Sequence, residues 1–239
     1  MNLWTWEQYN NWLKQNYADS YQYLFRGQED SSWILETSFH RISEPSNLNL
    51  EVYIQNIIPE VHNQMVSKGF EAYNLNDIQS FNSFLAKLQH HSFPTPLLDW
   101  TYSPYIAAYF GIKSTQKHIS PYFSIYVFDY IRWIRNNYQP TNLLIKEPFV
   151  STFKPYYFNN PRLITQNSIL TITNQKNIEE YLLNMGKKQE TVYLYKINIP
   201  KSEISKIKED LDNRGINENI LFPSLDGICS NMKRNFFSY

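Results

Sequence analysis

The apolar positions of this chain follow a helical rhythm early and a strand rhythm later. Between Leu50 and Lys68, Leu50, Ile54, Ile57, Ile58, Val61 and Met65 recur at three- and four-residue spacing, which marks one face of an amphipathic helix. Pro59 inside that run predicts a kink or split, because proline lacks the N–H donor and crowds the preceding turn. Gly69 is the expected stop. A second stripe, Ile78, Phe81, Leu85 and Leu88, follows the capping residue Asp77 and predicts a helix that runs into His90 and His91. Thr5 and Gln8 form a capping-box pair around Trp6, Tyr9 and Leu13, predicting a helix to about Lys14.

Later the period shortens to two. Tyr122–Phe128 is a run of β-formers and predicts a buried strand. In Thr191–Ile199, Val192, Leu194, Lys196 and Asn198 alternate with Tyr193, Tyr195, Ile197 and Ile199, and Pro200 ends the run. Gln22–Arg26 and Ile220–Phe222 are expected as short strands and Arg162–Thr173 as extended. Short helices are expected over Asp129–Arg135, over Ile178–Met185 and from about Ser224, with Ser43–Asn47 as a loop. Ser202 is the expected cap of a charged helix carrying Ile204, Ile207 and Leu211, which Gly215 closes. The pattern predicts an α+β fold with a mixed or mostly antiparallel sheet and helices concentrated in the N-terminal half. The length of 239 residues suits one domain over 1–239.

Composition removes several function classes. The formal net charge is zero, so no argument for nucleic acid follows from global basicity. Aromatic residues make up 17%, with 19 Tyr against six Gly, which suits a semi-polar interior or a groove. The single cysteine, Cys229, allows no internal disulfide and no cysteine cluster for zinc, and a cytoplasmic location is expected. The stretch MNLWTWEQYNNW lacks the basic head and apolar run of a signal peptide, and no apolar stretch approaches the roughly 20 residues that span a bilayer. Gly-rich phosphate loops, HExxH and GxSxG are all missing, and no metal is expected.

The densest chemistry lies in Leu88–Gly111, LQHHSFPTPLLDWTYSPYIAAYFG. A helix delivers His90 and His91 to its end, and Pro94-Thr95-Pro96 makes a tight turn. Leu97-Leu98 then brings Asp99, Trp100 and Thr101 to one place. Ser103 and Pro104 read as N-cap and first helical residue ahead of Ala107 and Ala108. A His90–Asp99 pair suits a general base or an orienting pair, or else a capped turn. Asp99 beside Trp100 resembles a carboxylate against an aromatic wall, as in nucleoside pockets. In Phe25-Arg26-Gly27 the arginine is a planar fork for phosphate or carboxylate, beside a glycine that permits close approach. The stretch Ile131–Lys176 carries Arg132, Arg135, Lys146, Lys154, Arg162 and Lys176 among Phe149, Phe153, Tyr156, Tyr157 and Phe158, the ingredients of single-strand binding or of a solvated face over a core. Arg162 and Gln166 lie four apart, on one face if that segment is a strand. Glu218 and Asp226-Gly227 are the late acidic positions.

These motifs together resemble the FRG domain family, through Phe25-Arg26-Gly27, then Trp33, Leu35 and Arg41, then QHHSFPTPLLDWTYSPYIAAYF, then Asn160-Pro161-Arg162 with Gln166, and LFPSLDGI. Ser92 stands at the family's usual glycine and Pro96 at its usual arginine, and Asn167-Ser168 replaces a glycine-containing run. The motif order is similar to a distant ADP-ribosyltransferase: an arginine on the first strand, a Ser/Thr-bearing strand entering an Ala-rich helix, and a late acid. The resemblance implies a bacterial or phage-related effector of defence or toxin type with an NAD-binding cleft. Arg26 would hold the pyrophosphate, Thr101 and Ser103 the nicotinamide ribose, and His90 or Asp99 would orient or accept a proton. Glu218 or Asp226 would stabilise the ribosyl centre. Phe25, Gly27, Trp100, Arg162 and Gln166 complete the expected binding set. The readings kept beside this one are a nucleic-acid-binding module and a sensor of nucleotide or phage protein without turnover.

Overall fold

The computed structural model describes residues 2–17, 21–46, 48–113, 120–154, 165–222 and 236. Seven strands form one sheet: β1 (Asn2–Leu3), β2 (Tyr23–Gln28), β3 (Leu97–Thr101), β4 (Tyr122–Asp129), β5 (Val150–Phe153), β6 (Ser168–Thr173) and β7 (Leu194–Pro200). Their order is β1-β7-β4-β2-β3-β6-β5. Among the described residues, only β1 and β7 run parallel; every other pair is antiparallel. The fold is α+β with a mixed, mainly antiparallel sheet, as the periodicity predicts.

The helices are α1 (Trp6–Asn16), α2 (Ser38–Ser46), α3 (Leu50–Val52), α4 (Ile58–Ser67), α5 (Ile78–His90), α6 (Pro104–Ile112), α7 (Tyr130–Asn136), α8 (Ile178–Lys188), α9 (Ile204–Asn213) and α10 (Glu218–Leu221). Among the described residues, none is long and apolar enough to cross a membrane. The stripes read from sequence are the faces that pack. Helices α1, α6 and α9 bury Tyr9, Ala107 and Ile207 against Phe25, Ile125 and Ile197 on one face of the sheet. On the opposite face Leu24, Trp100 and Phe128 meet Trp133 of α7 and Leu182 of α8. Helices α2, α4 and α5 pack Phe39, Ile58 and Leu85 over Leu97, Leu170 and Ile172.

One joint in the sheet differs from the rest. β2 pairs with β4 over the whole register Tyr23–Gln28, and β3 with β6 over Leu97–Thr101. Between β2 and β3 the register holds one pair, Phe25 with Thr101. Beyond it the two strands part, and the sheet is two ladders hinged at one bridge.

Three local expectations are corrected. Ser43–Asn47 is not a loop, since α2 runs from Ser38 to Ser46, its serines bonding back to carbonyls of its own helix. The interruption expected at Pro59 is present: a π-helical turn at Tyr53–Ile57 separates α3 from α4, whose first turn holds the proline. Ser202 caps nothing. It lies in a 3₁₀ turn, Lys201–Glu203, whose Glu203 instead accepts the Trp6 backbone N–H at 2.7 Å. Ile220–Phe222 is not a strand but the end of α10, capped by Asn217. The helix expected from Ser224 lies outside the described residues.

Candidate functional site

The gap between the diverging strands opens as a cleft of about 480 Å³, a size typical of small-molecule sites. Its walls come from β2, β3, α5, α6 and the segment leading into α2. Arg26 reaches across the gap, its Nη1 donating to the Asp99 carbonyl at 2.8 Å. Its Nε is buried without a partner, and no carboxylate among the described residues forms an ion pair with it. Burial pulls its pKa down; the Asp99 charge opposes that and Arg41 adds to it. An arginine still keeps its proton at any physiological pH.

Asp99 is exposed to the cleft, and its Oδ2 accepts Gln89 Nε2 at 2.6 Å. The ionised Asp99 carboxylate only accepts, so it sets the orientation of the Gln89 amide, whose Oε1 then accepts from the Thr95 hydroxyl. Thr95 is itself pinned, its backbone N–H donating to Ser38 Oγ at 3.0 Å. Burial pushes the Asp99 carboxyl up from the usual range, against the opposing effects of Arg26 and Gln89. His90, the last residue of α5, lines the same cleft, its ring 5.3 Å from His91. Arg26, His90 and Asp99 therefore meet in one cavity.

Other expected site residues carry structure. Phe25 has no exposed surface and its ring packs edge-on against Tyr17. Gly27 is required by packing: a Cβ there would lie 1.8 Å from the Ala107 carbonyl oxygen of α6. Trp100 lines the cleft as expected, although its indole is largely buried, bonded to Thr171 Oγ1 at 3.1 Å beside Phe128. Phe25, Trp33, Phe110 and Phe222 are the other rings of the lining. Thr101 donates its hydroxyl proton to the Gln166 carbonyl at 2.7 Å and accepts the Ser103 N–H at 3.1 Å. Ser103 does not line the cleft; it caps α6, accepting the Ile106 N–H at 3.2 Å. Gln166 lines it while its amide ties to the Leu221 carbonyl at 3.1 Å. Glu218 begins α10 and is not part of the lining. Arg162 and Asp226 lie outside the described residues.

Sequence reasoning missed Gln89, although it stands directly before His90 in the densest motif. It also passed over Gln28, Glu29, Glu36 and, as site residues, Trp33 and Arg41, which line the cleft. Arg41 and Glu36 pair at 3.3 Å. The basic-aromatic stretch loses part of its case as a stacking surface: Phe149 is buried in the core, Arg132 pairs with Asp129 at 3.4 Å, and Lys154 sits 5.5 Å over the Tyr102 ring. Tyr156, Tyr157 and Phe158 are outside the described residues. No group of three or more His, Cys, Asp or Glu converges as metal ligands among the described residues.

Two left-handed backbone positions coincide with the departures from the family pattern, Ser92 at φ 63° and Asn167 at φ 45°. Both conformations suit glycine, the residue the pattern carries at or near them. No curated protein and no solved structure matches the chain. The family model for the FRG domain matches residues 21–120, a segment that contains Arg26, Gln89, His90, Asp99 and the cap of α6. The match to the FRG domain therefore rests on residues 21–120 of this chain.

Proposed function

We propose that the cleft binds a phosphate-bearing nucleotide, NAD first among the candidates, and that the protein acts on it as an ADP-ribosyltransferase-like effector of defence or toxin type. One observation carries the reading: a guanidinium lining the cleft that, among the described residues, makes a single hydrogen bond and no carboxylate ion pair, with its Nε unpartnered. A partly satisfied buried cation is costly, and an anionic ligand supplies what is missing. Phosphate oxygens match the remaining donors of the fork.

His90 and Asp99 stand beside that anchor and supply the orienting and proton-accepting groups. In the transfer, the bond between the ribosyl carbon and the nicotinamide nitrogen breaks and nicotinamide leaves with the electron pair. An acceptor nucleophile forms the new bond to carbon, and its proton passes to His90 or Asp99. Glu218, off the cleft wall, is displaced as the ribosyl-stabilising acid by carboxylates that line it, Glu29 and Glu36. Calorimetric titration with NAD, then mass spectrometry for nicotinamide, tests this. The expected result is binding that Arg26→Ala abolishes, with nicotinamide released. Binding without release returns the protein to the sensor reading. No binding, together with a salt-dependent shift of single-stranded RNA, favours the nucleic-acid module instead.

A further inference from the structure

The arrangement around Asp99 says more about the ligand than its anion does; this inference rests on the nucleotide reading above. Arg26 bonds the backbone carbonyl of the very residue whose carboxylate faces the cavity. Both groups line the one cleft and the Arg26 charge acts on the Asp99 carboxylate, so an anion seated on the guanidinium has its neighbouring atoms within the space that carboxylate faces. Gln89 is the one side-chain donor to it among the described residues; Arg26 and His90 act on it through their charge without an ion pair within 4 Å. A carboxylate accepts several hydrogen bonds and donates none while ionised, so it repels a second phosphate and selects hydroxyl donors. The atoms next to phosphate in a nucleotide are those of the sugar.

The carboxylate is also held in a fixed direction. Ser38 holds Thr95, Thr95 anchors the Gln89 amide through its Oε1, and the Gln89 Nε2 holds Oδ2. A group kept by three successive hydrogen bonds is preorganised for one donor position. We propose that Asp99, positioned by Gln89, accepts a hydrogen bond from a ribose hydroxyl, so that the cleft selects ribonucleotides over deoxyribonucleotides.

The test compares ADP with 2′-deoxy-ADP and 3′-deoxy-ADP by calorimetry on the full chain. The wild-type protein is expected to favour ADP over one deoxy form by about ten- to a hundredfold, the range for a hydrogen bond to a charged group. Asp99→Asn should reduce that ratio to within about threefold, since its amide offers a weaker, uncharged acceptor. Gln89→Met should narrow the ratio more than it weakens binding of the deoxy form; a merely structural defect would lower both alike. Equal binding of all three nucleotides by the wild-type protein overturns the proposal and leaves the nucleotide reading standing. A preference that survives Asp99→Asn intact overturns it as well. Failure of ADP and NAD alike to bind overturns both.

Discussion

Among the described glycines, replacing Gly27 with alanine is expected to damage the protein most. A Cβ at Gly27 would lie 1.8 Å from the Ala107 oxygen, 2.5 Å from the Gly111 nitrogen and 2.9 Å from the Ala107 carbonyl carbon. All three are backbone atoms of α6, so no rotamer change relieves the contact. Restoring an ordinary contact near 3.4 Å requires β2 and α6 to part by about 1.6 Å. Helix α6 buries Ile106, Ala107, Ala108 and Ile112 in the same core. A gap of about 0.5–1 Å already forfeits a quarter to a half of each dispersion contact. Overpacking with flexible neighbours costs about 1–3 kcal/mol, so a clash against fixed backbone should reach about 3–5 kcal/mol. Urea unfolding monitored by tryptophan fluorescence measures this as a fall in midpoint at constant slope. Gly69→Ala and Gly215→Ala are the controls: nothing lies within 4 Å of either, but φ is 82° and 71°, so each should cost about 1–2 kcal/mol through backbone strain alone. A Gly27→Ala protein within about 1 kcal/mol of wild type would refute the packing argument. Loss of ligand binding in a protein of unchanged stability would show that Gly27 serves ligand approach instead.

Burial, and then Lys176, hold His40 down at about 4 against its ordinary 6.5. The unfolded chain therefore takes up a proton in that window and the folded one does not. Stability should fall as pH drops from 6.5 towards 4, by up to about 3 kcal/mol, and His40→Gln should flatten that slope in urea midpoints taken at pH 7 and 5. An equal slope in the variant would rule out His40 as its source. Arg26→Met should raise thermal stability by about 1 kcal/mol while abolishing anion binding, because the buried Nε loses its desolvation burden; a lower melting temperature would show that the bond to the Asp99 carbonyl outweighs it. Ser92→Gly should relieve left-handed strain of about 1 kcal/mol, a rise of roughly 2–4 °C by calorimetry. Asn167→Gly should gain less, since asparagine tolerates that conformation.

Helix stripes and caps were legible because they are local: Thr5, Asp77 and Ser103 each cap the helix expected of them. The short segments that went wrong, at Ser43–Asn47 and Ile220–Phe222, are those whose local preference is weak and whose packing decides. Motif chemistry led to the expectation that Arg26, His90, Asp99 and Arg162 share one cleft; the first three line it, and Arg162 lies outside the described residues. The burial of the Trp100 indole was open to the same reasoning, and strand alternation supplies it. Once Asp99 faces a cavity, its neighbour Trp100 must direct its indole to the opposite side, while Thr101 returns to the side of Phe25. Gln89 was harder, because its role depends on the Pro94-Thr95-Pro96 turn folding back onto the end of α5. The cleft itself was beyond local reading. It exists because β2 and β3 keep a single paired position, and register between strands so far apart in sequence is settled by long-range packing. Gly27 connects the two scales. Its missing side chain draws α6 against β2, and this holds β2 in place while β3 diverges and the Arg26 guanidinium spans the opening. In the Phe-Arg-Gly motif, then, all three residues line the cleft; the phenylalanine and glycine also set the frame, and the arginine carries the unpartnered Nε on which the proposed anion contact rests.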